Sequence, residues 1–146
     1  MEKESINNAD NIIVKIRQLL LNYDMTIAYV KGEIDLRESV IEILQKENEE
    51  GKSKPKQKKI ISNRAEIEVY QIFLNDVLKK RENLIDSLNI IFKRFKHTDI
   101  VSKIFFDYFI KEKTINEIKE EMPYLTEEVI EQNIEKLKEQ IIYFYD

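Results

Sequence analysis

Apolar residues recur through the first third of the chain at steps that alternate three and four. The series is Ile6, Ala9, Ile13, Ile16, Leu20, Tyr23, Ile27, Val30, Ile34, Arg37, Ile41 and Leu44. A second series runs Ile67, Tyr70, Leu74, Val77, Arg81, Leu84, Leu88, Ile91 and Phe95. A repeat averaging about 3.5 residues keeps one seam of a helix turned toward a partner helix, the condition for coiled-coil packing. At about 1.5 Å of rise per residue the two series extend about 57 and about 42 Å, too long for a compact single-core bundle. The pattern predicts an arm of two long helices over residues 1–96, paired as an antiparallel hairpin or between two chains. Its seam would be built by Ile13, Ile16, Leu20, Ile27 and Ile34 against Leu74, Val77, Leu84, Leu88 and Ile91.

The connector, residues 48–61, carries five lysines between 52 and 59 together with Gly51 and Pro55. The first helix is predicted to stop near Asn48. The second is predicted to begin near Ser62, an N-cap with Glu66 in the first turn. Arg37 and Arg81 interrupt the seam; they read as snorkelling side chains with wet heads, or as markers of register. A second apolar stripe on each helix, Tyr29/Leu36/Ile43 and Leu78/Ile85/Phe92, offers more apolar face than one partner covers.

From His97 onward the period changes character and three shorter helices are expected. Ile100, Ile104, Phe105 and Tyr108 share one face of a helix expected over Asp99–Ile110. Thr114 followed by Glu117 is a capping box, and the helix it opens should end before Pro123. Thr126 caps a last helix carrying Val129, Ile130, Ile134, Leu137 and Ile141. A short helix joined to a longer one by a tight turn is a helix-turn-helix layout, placed over residues 97–146. The expected fold is therefore all-α, a long antiparallel helical arm followed by a C-terminal three-helix helix-turn-helix domain.

Composition supports helices and removes several chemistries. With two Gly, two Pro and 36% charged residues, the chain lacks the punctuation of sheets and tight turns. Without cysteine there is no disulfide, zinc finger or thiol nucleophile, and one histidine, His97, makes no metal or base cluster. The paired acids Glu120/Glu121 and Glu127/Glu128 read as solvated helix faces, and Gly32 and Gly51 are too isolated for a phosphate loop. No cofactor, metal, small-molecule substrate or catalysis is expected. No membrane span or cleavable signal is read, so the expected location is the cytoplasm.

The stretch "TINEIKEEMPYLTEEVIEQNIEKL" resembles the helix-turn-helix of sigma-factor region four. Thr114 with Glu117–Ile118 matches the opening of the first helix; Thr126, Val129–Ile130, Ile134, Lys136 and Leu137 match the second. With the arm in front of it, the layout is similar to the ArpU-like phage transcriptional regulators. The resemblance implies a transcription regulator that binds promoter double-stranded DNA, RNA polymerase, or both, and dimerises through its arm. The face it would put on DNA is Thr126, Glu127, Glu128, Glu131, Gln132 and Glu135, with Lys136, Lys138, Thr114 and Lys113 beside it. That face departs from DNA readers, which present Arg, Lys, Asn or Gln. Residues 97–146 hold six Lys and no Arg against twelve acids, a net of −6, which duplex DNA repels. Two further readings follow. The helix-turn-helix can be a scaffold for protein binding, an adaptor or inhibitor that uses the Tyr124/Leu125 turn and the "IIYFYD" tail. Alternatively, the chain can be a small terminase subunit.

Overall fold

A computed structural model describes the backbone over residues 2–144 and the side chains over residues 8–144. Ile6 of the seam and Tyr145 of the tail lie outside the described side chains. Among the described residues the fold is entirely helical: α1 (Glu2–Glu47), α2 (Lys54–Phe92), α3 (Thr98–Phe105), α4 (Ile115–Glu121) and α5 (Glu127–Ile141). A π-helical turn, Phe106–Ile110, extends α3. The chain divides into two compact units, one of residues 22–81 and one of residues 1–21 with 82–146. The base of both long helices thus belongs with α3–α5.

In the first unit α1 and α2 close on each other within one chain, antiparallel. Val30 and Ile34 pack on Leu74, and Ile27, Ile67 and Tyr70 flank them. Farther out, Ile41 and Leu44 meet Ile60, with Val40 and Ile67 beside them. Both seam arginines are ion-paired across the hairpin, Arg37 with little of its side chain exposed and Arg81 with its head still open to solvent. Arg37 is held by Glu33 and by Glu66, and its guanidinium lies 4.7 Å over the Tyr70 ring. These two carboxylates hold its proton more firmly than usual, Glu66 first. Arg81 Nε donates to Asp24 Oδ1 at 2.7 Å.

The second long helix starts at Lys54, earlier than the Ser62 expected, so most of the Lys-rich connector is helix. Pro55 sits in the first turn, where a missing N–H leaves no bond unmade and a fixed φ suits the helix. Ser53 supplies the cap, its Oγ accepting from Lys56 N at 3.4 Å. The turn before it is closed by Asn48, whose Oδ1 accepts from Ser53 N, and by Gly51 at φ +68.

The second unit buries Ala9, Ile13, Ile16 and Leu20 of α1 and Leu84, Leu88, Ile91 and Phe92 of α2. Phe92, read from sequence as part of a spare stripe, is fully buried, because α3 supplies the aromatic partners that cover it. Its ring centroid lies 5.2 Å from that of Phe105, and Phe106 and Phe109 each stand 5.5 Å from Phe105. Such tilted and edge-on pairs add to the energy of area burial. The helix expected to run evenly to Ile110 widens at Phe106 instead, with Lys111 N donating to Phe106 O. The widened turn leaves the Phe109 carbonyl free, and Arg17 of α1 takes it with Nε at 2.8 Å and Nη2 at 2.6 Å. Arg17 also reaches Glu112 at 3.3 Å, a residue held at φ +56.

Candidate functional site

α5 has an exposed face of strongly biased chemistry. Thr126 starts it, its Oγ1 accepting from Val129 N at 3.2 Å. Glu127 and Glu128 follow in the first turn, where unpaired N–H groups and the helix dipole favour negative charge. Ile130, Ile134, Leu137 and Ile141 recur at helical spacing and are buried. That fixes the opposite side as solvent-facing: Glu128, Glu131, Gln132 and Glu135, at i, i+3, i+4 and i+7, line one shallow depression with Lys136. Glu127 is exposed as well. Three carboxylates thus share the depression with one ammonium group, while Glu127 lines a separate groove with Thr114, Lys113 and Lys138.

The scaffold beneath α5 is set by α4. Its start is a closed capping box: Glu117 N donates to Thr114 Oγ1 at 3.2 Å, and Thr114 N donates to Glu117 Oε1 at 3.2 Å. Met122 and Ile118 are buried under the turn, while Tyr124 stays exposed. α4 is fastened to α3 by a charge cluster. Lys103 Nζ stands 2.8 Å from Glu121 Oε2 and 3.2 Å from Asp107 Oδ2. Lys113 Nζ reaches Glu121 Oε1 at 2.5 Å and Asp107 Oδ1 at 3.7 Å. The hydrogen bonds from Lys103 and then Lys113 pull the Glu121 carboxyl down to about 2, and the same bonds raise both ammonium groups. The Asp107 carboxylate is 2% exposed, and burial of a charge is tolerable only with such company.

The predicted site residues therefore have three different placements. Thr114 and Thr126 are caps. Lys113 is engaged with Glu121 and Asp107, and Lys138 lines a groove with Arg17, Glu112 and Glu127. Glu128, Glu131, Gln132, Glu135 and Lys136 come together on one face. The seam residues from Ile13 to Ile91 are buried, except Ile27, which is half-buried. The tail is split: Ile141 is buried, Phe144 half-buried, and Tyr143 exposed under Arg94 at 5.7 Å.

A basic border had no counterpart in the sequence reading. Lys96 and His97 line a groove with Leu125, Val129, Gln132 and Lys136, and Arg94 joins Lys96 and Lys136 in the next. The signal was the run Lys93-Arg94-Phe95-Lys96-His97, hidden because it falls where the seam period ends. Asp107 was also missed, since burial of one acid among Lys103, Lys111 and Lys113 has no sequence signature. Among the described residues no group of His, Cys, Asp and Glu is arranged to hold a metal ion. Among the described residues no helix is long and apolar enough to cross a membrane. No protein-family model matches the chain, and neither a curated protein nor a solved structure matches it.

Proposed function

We propose that the chain is a transcription regulator of the ArpU-like kind whose C-terminal helices are a helix-turn-helix scaffold turned to protein recognition. In this reading α5 presents its acidic face to a basic surface of RNA polymerase. One observation carries it: Glu127, Glu128, Glu131 and Glu135 are all exposed on the helix that would otherwise enter the major groove. A groove lined by phosphates repels such a face, whereas a protein rich in Lys and Arg gains charge-assisted hydrogen bonds from it. Lys113, just before the first helix of the pair, is already spent on Glu121.

Direct promoter binding is the second reading, favoured by the border of Arg94, Lys96, His97 and Lys136. In that case phosphate contacts come from the α2–α3 junction, beside α5 rather than from it. Self-association belongs to the same proposal. Because the hairpin seam is filled within one chain, copies meet through faces that the seam leaves exposed.

The test is retention of the full chain on immobilised RNA polymerase holoenzyme and on short AT-rich duplexes across a salt series. Glu131→Lys with Glu135→Lys should abolish polymerase retention and leave helicity unchanged. Retention on duplex DNA that falls steeply between about 50 and 200 mM salt, and is lost in Lys96→Glu, would favour the second reading instead.

A further inference from the structure

In the hairpin of residues 22–81, each helix is apolar on two sides. On α1 the seam side is buried, while Met25, Tyr29, Leu36 and Ile43 are 56–63% exposed. With Gly32 and Ser39 these residues sit at steps of four, three, four, three and four, and at 3.6 residues per turn they share one line away from the seam. Ile61, Ala65, Val69 and Ile72 do the same on α2, all exposed. A sustained apolar line with a heptad step is the pattern of a helix that expects a partner helix. Gly32 points the same way. It weakens a helix interior, and a Cβ placed there would meet nothing within 4 Å, so no packing inside the chain accounts for it.

Charge says what covers the two lines. Residues 22–47 hold three basic and six acidic side chains, a net of −3, and residues 54–81 hold eight against three, a net of +5. Asp35 and Glu42 border the α1 line; Lys54 and Lys58 extend the α2 line at its N-terminal end, and Asp76, paired with Lys80, and Lys79 extend it at the other. We propose that the outward face of α1 in one copy docks, antiparallel, on the outward face of α2 in a second copy of this chain. Centring the two apolar lines sets Leu36 opposite Ala65. That register puts Lys58 beside Glu42, Lys54 beside Glu47, and Arg64 between Asp35 and Glu38. It is nearly the register inside the hairpin, where Arg37 meets Glu66 and Arg81 meets Asp24. Neighbouring copies therefore stand side by side with little slide along the helices. Gly32 then faces Val69 and gives the two backbones room to approach.

The two faces are different, so the contact is head-to-tail. A pair of copies leaves one α1 face and one α2 face open, and growth continues past the dimer until a ring closes. The chain has no cysteine, which makes crosslinking clean. Full-length Leu36→Cys and Ala65→Cys, mixed and oxidised, should give a crosslinked dimer many-fold above either variant alone. The double variant should give a ladder beyond the dimer, and native mass spectrometry of the unaltered chain should show species larger than two copies. Lys58→Glu should shift that distribution toward monomer, and Lys58→Glu with Glu42→Lys should restore it. Both positions are exposed, and circular dichroism confirms that the variants keep their helices. The proposal fails if Leu36→Cys crosslinks with itself, which marks a symmetric α1 contact, or if Met25→Cys pairs with Ile61→Cys, which marks a parallel one. It also fails if the unaltered chain stays monomeric at micromolar concentration, or binds phosphatidylserine vesicles through these faces as a monomer.

Discussion

The hairpin of residues 22–81 and the unit that contains α3–α5 are both helical, yet they are held by different means. The hairpin has a seam one or two side chains wide, closed by Arg37 and Arg81 at its margins, and leaves Met25, Leu36, Ile43, Val69 and Ile72 more than half exposed. The other unit converges side chains from α1, α2, α3, α4 and α5 on one core, with Phe92, Phe105, Ile118, Met122 and Ile141 sealed inside. The first is a strip that wants neighbours. The second is a small closed domain whose outward chemistry is charge. The contrast separates the two jobs proposed above, assembly through the hairpin and recognition through α5.

The sharpest way to break the contrast is a cavity on each side of it. Phe105→Ala removes a fully buried ring that touches three aromatic neighbours, and should cost about 3–5 kcal/mol of unfolding free energy in a urea titration. Leu74→Ala, in a seam with open flanks that can collapse, should cost about 2–3 kcal/mol. Equal losses would mean that the hairpin is as closed as the domain.

Caps come next. Thr126→Ala unseats the first turn of α5 at a cost of about 1 kcal/mol, read as a lower melting temperature. Gly32→Ala, in the open face of α1, should stabilise the isolated hairpin helix by about 0.5–1 kcal/mol. The smallest effect is acid sensitivity. The Glu121 carboxyl is lowered from 4.5 to about 2 by Lys103 and Lys113, so its contribution is complete above about pH 4.5 and is lost as the pH falls toward 2. A melting-temperature profile over that window should flatten in Glu121→Gln, and the same substitution should leave the profile near neutrality almost level.

The two long helices were legible because a seam repeated over many turns averages out single exceptions: positions such as Ile16, Val30, Leu84 and Leu88 are buried as their spacing requires. Thr114 and Thr126 were legible because a cap is a local bond between residues three apart. What failed depended on context or on distance. Pro55 breaks a helix interior but suits a first turn, and only the bond from Lys56 N to Ser53 tells the two apart. The π-turn Phe106–Ile110 is tied through the Phe109 carbonyl to Arg17, 92 residues away, and no periodicity carries that information. At α5 the acids were visible from the start, but the border from Arg94 to His97 that lies beside them was not.

Carboxyl footprinting of the full chain, with and without RNA polymerase holoenzyme, tests the central claim most directly, because the label reads each exposed carboxylate. Protection should appear at Glu127, Glu128, Glu131 and Glu135, while Glu38 and Glu68 of the hairpin label as before. Unchanged labelling along α5, with polymerase bound in saturating amount, would contradict the account.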